Sequence, residues 1–463
     1  MEKTQDQPQH FLILKQLIRW TLLTIPVALT IGSVVALFLW LLTAAIHFRF
    51  AHYWLLYCLP LAGIFIHFIY KWMGKSAEKG NNLIIEEIHQ AGGGVPKRMA
   101  PIILLTTIIT HLFGGSAGRE GTAVQIGGSI AAMFGRWFKL TDADMRVLLT
   151  AGVAAGFGAV FGTPLTGAVF AIEVITIGRL QYDAVLPALM ASVIADITVA
   201  VWGVHHTAYH IAPFISTSTL IPDLPVDILL LMKVIIAGAC FGLASFVFAT
   251  MVQQVKAIFS KIFEATWLIP VTGGAVIILL TFVLGRPDYL SLGVDAEYPG
   301  AVTIPSAFHI GGADTWSWLW KSIYTSITLG TGFKGGEVTP LFYIGATLGN
   351  TLAALLNSPT GLFAALGFIA VFAGATNTPL ACTFMGIELF GGEHVLLFGI
   401  ACFTAYFFSG HTGIYGSQKI AVPKIFGSSL PNNLSLSEAG KRKGYFYKKL
   451  QRYRPGRQSG TPN

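Results

Sequence analysis

The feature that most constrains this chain is a series of long segments without a charged residue. Five of them contain no Lys, Arg, Asp or Glu: Trp20–Phe48, Ala100–Gly118, Val147–Ile172, Val234–Val255 and Ala265–Gly285. A sixth, Val338–Ile387, is the longest and suffices for two passes with a bend. A helix crosses the hydrocarbon core of a bilayer with about 20 apolar residues. The period-2 alternation of a membrane barrel is absent. The sequence therefore predicts an all-α, polytopic membrane protein.

The charge distribution is consistent with this class. Only 11% of the residues are charged, whereas a soluble domain carries about 25%. The net charge of +8 comes from the segment 441–463, which holds eight Lys or Arg and no acid. This localised excess favours a positive-inside anchor that places the termini in the cytoplasm. A lipid-specific site is the alternative. We expect no nucleic-acid partner.

The pattern divides the chain into five parts. They are a cytoplasmic amphipathic N-terminal helix at 1–19, a first membrane half at 20–216, a linker at 217–226, a second membrane half at 227–430, and a basic cytoplasmic tail at 431–463.

The two halves share motifs in the same order. Thr163-Pro164-Leu165 and then Ile172-Glu173 in the first half match Thr378-Pro379-Leu380 and then Ile387-Glu388 in the second. Upstream, the segment from Arg119 to Gly127 matches the segment from Glu337 to Gly345. Interrupted apolar segments at corresponding places of two halves indicate the binding site of a transporter. Chance similarity between Gly- and Ala-rich helices is the competing interpretation.

The central motif is Gly114-Gly115-Ser116-Ala117-Gly118-Arg119-Glu120-Gly121-Thr122. It puts an arginine and a glutamate at the end of a charge-free segment, and charges at membrane depth are costly and usually functional. The glycines expose backbone N–H groups, and a helix restarting at Thr122 would direct its positive end to a cavity. Glu120 could occupy that anion site and leave it when protonated, acting as gate and proton carrier. The alternative is an interfacial ion pair.

Three further breaks are candidate parts of the site. Gly335-Gly336-Glu337-Val338-Thr339-Pro340 predicts a helix with Pro340 in its first turn and Thr339 as its cap. Gly80-Asn81-Asn82-Leu83 offers Asn as an N-cap and amide donor, although ordinary capping is the favoured explanation of this break taken alone. Tyr415, in the Gly-rich segment 410–416, could donate a hydroxyl to an anion or serve as an interfacial belt residue. His205, His206 and His210 lack a carboxylate or Cys nearby, so we expect no metal site and no cofactor.

These motifs resemble the CLC family of chloride channels and proton-coupled anion antiporters. Gly118-Arg119-Glu120-Gly121, Gly336-x-x-x-Pro340 and the two Pro-Leu…Ile-Glu segments carry the resemblance over roughly residues 20–425. It implies two inverted repeats of tilted, discontinuous transmembrane helices, and a homodimer with one anion pathway per subunit. It also implies that Glu120 is the external gating glutamate.

Several departures from the family pattern resemble its fluoride/proton antiporter branch. Asn81 stands where chloride-transporting members carry Ser, Val338 where they carry Phe, and Thr122 where they carry Pro. Val174 stands where many antiporters have an internal proton-relay glutamate. The ion-binding residues that the resemblance and the breaks together suggest are Asn81, Asn82, Gly118, Arg119, Gly121, Val338, Thr339 and Tyr415, with Glu120 as the gate.

The resemblance implies a secondary transporter that exchanges fluoride for protons across the bacterial inner membrane and exports a toxic anion. A chloride channel or chloride/proton antiporter of the same family is the alternative. A membrane-embedded hydrolase or transferase is a third interpretation, but the sequence contains no His-Glu-x-x-His zinc helix. We therefore expect a transporter and not an enzyme, with anions, protons and the lipid bilayer as partners.

Overall fold

The structure, a computed structural model, describes residues 9–90, 92–212, 227–425 and 433–440. Within these ranges it contains fifteen α-helices and one pair of short strands. The helices are α1 Gln9–Ala51, α2 Leu59–Ile69, α3 Asn81–His89, α4 Met99–Leu112, α5 Glu120–Trp137, α6 Asp142–Phe161, α7 Pro164–Glu173, α8 Val185–Val201, α9 Ile228–Ile262, α10 Leu268–Leu284, α11 Ser317–Gly330, α12 Val338–Leu356, α13 Thr360–Thr376, α14 Pro379–Phe390 and α15 Val395–Phe408.

Among the described residues, six helical segments are long and apolar enough to cross a membrane. They are Gln9–Ala51, Tyr53–Lys79, Asp142–Phe161, Tyr182–Val201, Ile228–Ile262 and Val338–Leu356. Six shorter apolar helices, such as Met99–Leu112 and Pro164–Glu173, accompany them. The charge-free run Val338–Ile387 forms three helices, α12 to α14, and not two passes with a bend. The chain is thus built from complete and interrupted spans, as the sequence predicts.

The breaks follow from local chemistry that recurs in both halves. Helix α6 ends on Gly162 and helix α13 ends on Asn377, both in the left-handed conformation, with φ of 71° and 61°. Gly and Asn are the residues that adopt this C-terminal cap at low cost. In each half a Thr-Pro pair follows, and Pro164 and Pro379 begin α7 and α14. Proline is favoured there because its missing N–H would have no helical partner.

The order of helices repeats along the chain. The starts of α4, α5 and α6, at residues 99, 120 and 142, precede those of α11, α12 and α13, at 317, 338 and 360, by the same 218 residues. The packing repeats as well: α5 with α6, α6 with α8, and α1 with α8 correspond to α12 with α13, α13 with α15, and α9 with α15. Both halves therefore have the same internal arrangement.

The halves pack against each other in antiparallel fashion. Glu173, at the end of α7, accepts hydrogen bonds from the backbone of Leu380 and Ala381, at 3.1 and 2.8 Å, in the first turn of α14. Glu388, near the end of α14, accepts from the backbone of Leu165 and Thr166, at 2.9 and 2.7 Å, in the first turn of α7. Each half thus supplies the carboxylate that caps a helix of the other, as an inverted repeat requires.

The segment that follows α7 meets the C-terminal end of the described part in a short sheet. Strand β1, Thr176–Ile177, pairs in parallel with β2, Lys419–Ile420, and residues 433–440 lie against β2. The predicted boundary between residues 19 and 20 stays a prediction, since α1 runs through it without interruption. The predicted linker 217–226 and the basic segment 441–463 lie outside the described residues.

Candidate functional site

The site is built where the two Gly-rich breaks meet. Gly118 and Gly336 form an isolated antiparallel bridge: the Gly118 N–H donates to the Gly336 carbonyl at 2.6 Å, and the Gly336 N–H donates to the Gly118 carbonyl at 2.7 Å. A Cβ on Gly118 would lie 2.8 Å from the Glu120 Oε2, and a Cβ on Gly336 would lie 2.6 Å from the Gly121 nitrogen. Glycine is required at both positions because the backbones approach too closely for a side chain.

Helices α5 and α12 begin immediately after this bridge. Helix α5 starts at Glu120 with Arg119 as N-cap, two residues before the Thr122 expected from the sequence. Helix α12 starts at Val338 with Glu337 as N-cap, so Thr339 lies inside the first turn and is not the cap. Both N-caps lack a side-chain capping hydrogen bond. Two helix N-termini with free backbone donors therefore meet at one point, which favours an anion there.

The Glu120 carboxylate occupies this point and is 1% exposed. Its Oε2 accepts hydrogen bonds from the backbone N–H groups of Arg119, at 3.1 Å, and Thr339, at 3.0 Å. Its Oε1 accepts from the Thr339 hydroxyl at 2.5 Å. One carboxylate is therefore held by the first turn of α12 and by the N-cap of α5. It fills the place that the geometry offers to a free anion.

The Arg119 side chain lies near the Glu120 carboxylate but makes no hydrogen bond to it through Nε. Its Nε lies 3.6 Å from the Glu120 Oε1 and makes no hydrogen bond. Its side chain is 18% exposed, whereas that of Glu120 is 1% exposed. Arg119 thus contributes positive potential near the carboxylate, while the backbone and Thr339 provide the directed contacts.

Asn81 and Val338 border the same point. Asn81 is the first residue of α3, whose N-cap is Gly80, and the Asn81 side chain does not cap the helix. A Cβ on Gly121 would lie 3.1 Å from the Asn81 Nδ2, so this amide lies beside the start of α5. The Asn81 Oδ1 is buried without a hydrogen-bond partner among the described residues. The unpaired atom is an acceptor, so only the Nδ2 of this amide, 3.1 Å from the position of a Cβ on Gly121, can donate to an anion at the start of α5. Val338 is 1% exposed at the start of α12.

Tyr415 and Asn82 are the remaining predicted ion-binding residues near Asn81. Tyr415 is 4% exposed and lines a small cavity with Asn81, Val174 and eight apolar residues. The cavity offers about 10 Å³ to the centre of a water-sized particle, which is room for about one such particle. Asn82 points elsewhere, because its Oδ1 accepts from the Ser417 backbone N–H at 3.0 Å. Asn82 thus anchors the Tyr415 segment and does not face Glu120.

Gln418 holds this segment, and sequence reasoning did not single it out. It is fully buried. Its Nε2 donates to the carbonyls of Val174 and Thr376, both at 2.7 Å, and its Oε1 accepts from the Asn377 Nδ2 at 3.0 Å. One side chain therefore ties the chain beyond Tyr415 to both halves. Nothing in the local sequence marks it, since its partners are 41 to 244 residues away.

The hydrogen-bond partners of Ser116 bear on the interpretation of the chain as a membrane-embedded hydrolase. Gly114-Gly115-Ser116-Ala117-Gly118 matches the Gly-x-Ser-x-Gly pattern of hydrolase nucleophiles. The Ser116 hydroxyl, however, bonds the Thr325 hydroxyl at 2.9 Å, and its N–H donates to the Thr328 hydroxyl at 3.1 Å. Among the described residues neither a histidine nor a carboxylate hydrogen-bonds it. Ser116 thus lacks the base that would activate a nucleophile.

Comparisons with known proteins agree with this geometry. Residues 62–410 match the family model for voltage-gated chloride channels. A chloride/fluoride channel protein of Pseudomonas syringae pv. tomato is 45% identical over 435 residues, which cover 93% of each chain. The crystal structure of a CLC-type fluoride/proton antiporter superimposes with a TM-score of 0.80 and 34% identity, covering 89% of this chain and 100% of that one. A slow cyanobacterial chloride/proton antiporter gives a TM-score of 0.69 at 22% identity, covering 84% of this chain and 94% of that one, which indicates the shared fold.

Proposed function

The chain belongs to the voltage-gated chloride channel (CLC) family, and on that premise we propose that it exchanges fluoride for protons across the bacterial inner membrane, with Glu120 as gate and proton carrier. The observation that carries the proposal is the position of the Glu120 carboxylate. It accepts hydrogen bonds from the backbone of Arg119 and Thr339 and from the Thr339 hydroxyl.

The mechanism follows from the competition for these donors. When Glu120 is ionised, its carboxylate satisfies the N–H groups at the start of α12 and excludes a free anion. When it is protonated, it loses the charge that the helix N-termini favour. The side chain can then leave, and the released donors can bind the transported anion. If the proton arrives from one side of the membrane and the anion that replaces the carboxylate arrives from the other side, the two fluxes are coupled in opposite directions.

Fluoride is favoured over chloride by the donors. Fluoride is the smaller and more strongly hydrated ion, so a site must replace its hydration shell with close hydrogen-bond donors. The Asn81 amide, the Thr339 hydroxyl and the Tyr415 phenol are candidates for that role. The names of the similar proteins, a chloride/fluoride channel protein and a fluoride/proton antiporter, support the same anion.

Proton transfer through the inner half then rests on Glu120 itself. Val174 is 3% exposed and supplies no carboxylate. The neighbouring Glu173 is engaged in capping α14. We therefore propose that Glu120 carries the proton between both sides of the membrane without a relay glutamate at position 174.

The decisive experiment measures fluoride and chloride efflux from proteoliposomes while recording the external pH. We expect fluoride efflux to be accompanied by proton uptake into the liposomes, so that the external pH rises, and we expect chloride to be carried far more slowly. Protein-free liposomes are the control. Chloride efflux at an equal or greater rate would establish the chloride alternative. Fluoride efflux without a pH change would indicate a channel.

We also propose that the transporter is a homodimer with independent subunits. Each chain contains both halves and the complete donor set around Glu120, so one pathway needs only one subunit. A covalently linked dimer with Glu120→Gln in one subunit should keep about half the coupled flux. Complete loss of coupled flux would contradict independent pathways, and a monomeric, fully active protein would contradict the dimer.

A further inference from the structure

A second cavity, with several basic side chains in its lining, is separate from the cavity beside Tyr415. It has a volume of ≈ 370 Å³ and is enclosed by the end of α2, the segment 70–78, the C-terminal part of α9, the start of α10 and the end of α11. It shares no lining residue with the cavity between Asn81 and Tyr415. Gln9–Ala51 and Tyr53–Lys79 are consecutive candidate spans. If both cross the membrane, the cavity lies at the end of the second span, on the side where the first span begins.

The lining of this cavity contains more cations than acids. Lys71, Lys256 and Lys334 line it, together with His67 and a single carboxylate, Glu78. None of the three ammonium groups forms an ion pair or donates a hydrogen bond within the described residues. The Lys334 Nζ lies 4.2 Å from the centroid of the Tyr70 ring, a contact that accompanies a cation held away from bulk water. Three ammonium groups around one cavity repel each other unless an anion joins them.

The size of the cavity indicates which class of anion could bind in it. At ≈ 370 Å³ it is much larger than the ≈ 10 Å³ space beside Tyr415, so a single halide would touch only one or two of its cations. A phosphate group has several strong acceptor oxygens and can join several ammonium groups at once.

The surroundings indicate where that phosphate comes from. The helices that form the cavity expose large apolar side chains next to it. Phe65 is 53% exposed and Trp72 is 72% exposed near the end of α2, and Ile258 is 51% exposed and Ile262 is 64% exposed at the end of α9. These faces are those that acyl chains cover in a bilayer. Basic pockets between transmembrane helices near a membrane face are typical sites for anionic lipid headgroups.

We propose that this cavity, lined by Lys71, Lys256 and Lys334, binds the phosphate group of an anionic phospholipid. The site is independent of the transported anion. It has one structural link to the gate: Lys334 directly precedes Gly335-Gly336-Glu337, the break that pairs with Gly118. A lipid bound there would rest against the segment that holds the start of α12.

The test uses the full-length protein in detergent, with native mass spectrometry counting bound phosphatidylglycerol or phosphatidylcholine. Lys71→Gln and Lys256→Gln change exposed residues that line the cavity. Each should weaken phosphatidylglycerol binding about fivefold, since a basic residue near an anionic headgroup contributes about 1 kcal/mol. Phosphatidylcholine binding should be weak and the same in all variants.

Lys261→Gln is the matched control, because Lys261 lies on the same helix end, is exposed and does not line the cavity. It should leave lipid binding unchanged. An equal loss with Lys261→Gln would mean diffuse attraction to a basic surface and would overturn the proposal. Unchanged phosphatidylglycerol binding in Lys71→Gln and Lys256→Gln would overturn it as well. So would a result in which these variants weaken binding of free inorganic phosphate but not of the lipid.

Discussion

The starts of α5 and α12 have the same backbone and opposite chemistry. Their N-caps, Arg119 and Glu337, have similar dihedral angles, with φ of −110° and −94° and ψ of −20° and −13°. In the alignment of the two halves, Glu120 corresponds to Val338, and Gly121 corresponds to Thr339. One half therefore supplies the carboxylate, and the other supplies the hydroxyl and backbone donors that hold it. The repeat gives the two helix starts the same backbone, and the residues that differ between the two halves form the site.

The pair Glu173 and Glu388 shows the opposite case. Both halves carry this glutamate, and each caps a helix of the other half. A carboxylate that the repeat conserves in both halves thus has a structural task at α7 and α14. Glu120 has no such counterpart, because Val338 is the aligned residue of the second half. This contrast separates the two capping glutamates from the glutamate proposed as the gate, and substitutions can test it.

The largest effect is expected for Glu120→Gln. The amide cannot exchange a proton, so fluoride-driven proton uptake should fall to the level of protein-free liposomes, and fluoride transport itself should slow or stop. The assay is fluoride efflux with simultaneous pH recording. Glu393→Gln, at an exposed carboxylate, is the control and should transport normally. A Glu120→Gln protein that still moves protons against their gradient would remove Glu120 from the mechanism.

The second-largest effect is expected for the stability of the folded protein. The loss should be similar for the capping glutamate of each half. Glu173→Gln and Glu388→Gln each replace a charged acceptor of backbone N–H groups by a neutral one. Each should destabilise the protein by about 2 kcal/mol, because hydrogen bonds to a charged group contribute about 1.5–3 kcal/mol. The thermal unfolding midpoint in detergent measures this loss. The ratio of protons to fluoride should stay at the wild-type value in both variants. A changed proton-to-fluoride ratio in either variant would contradict the distinction between capping and gating glutamates.

The sequence predicted those parts of the site that have a local signal. Glu120 stands out because a charge between glycines at the end of a charge-free segment is rare. Pro340 and the Thr-Pro pairs mark helix starts through proline chemistry. Both helix starts were misplaced by two residues, with Thr122 predicted as the first residue of α5 and Thr339 as the cap of α12, since capping is decided by backbone geometry that residue type only biases.

The parts that could not be predicted depend on long-range contacts. Glu173 and Glu388 were recognised as matching residues, but their partners lie more than 200 residues away. Gln418 contacts both halves and has no motif around it. Asn82 looked equivalent to Asn81 in the sequence, yet only Asn81 faces the gate, because consecutive residues of a helix point in different directions.

A third, smaller effect is expected for Thr339→Val. Valine keeps the shape of threonine and the backbone N–H at 3.0 Å from the Glu120 Oε2, but it removes the hydroxyl that donates to Oε1. Apparent fluoride affinity should fall about tenfold, since a hydrogen bond to a charged acceptor contributes about 1.5 kcal/mol. Proton coupling should persist because Glu120 is intact. Thr339→Ser keeps the hydroxyl and should remain near the wild-type affinity in the same concentration-dependent flux assay.

The smallest effect is expected for anion preference, through Asn81→Ser combined with Val338→Phe. The family resemblance places Asn81 and Val338 where chloride-transporting members carry Ser and Phe. Asn81 lies beside the start of α5, and Val338 is the first residue of α12. Loss of the Asn81 amide should remove one donor of about 0.5–1.5 kcal/mol, which lowers the fluoride-to-chloride flux ratio about two- to tenfold. Phenylalanine at 338 changes the room beside the gate.

The matched control is Asn82→Ser, because the Asn82 carbonyl oxygen accepts from Ser417 and the side chain does not face the gate. This variant should lower stability while keeping the flux ratio. The comparison of the two asparagines therefore separates selectivity from structural support at one helix start. If the double variant is monodisperse and active with an unchanged ratio, the preference for fluoride arises from Thr339, Tyr415 and the α12 backbone. If Asn82→Ser lowers the ratio as much as the double variant does, the ratio depends on the position of Tyr415, which Asn82 anchors through Ser417, and the Asn81 amide is not a specific donor.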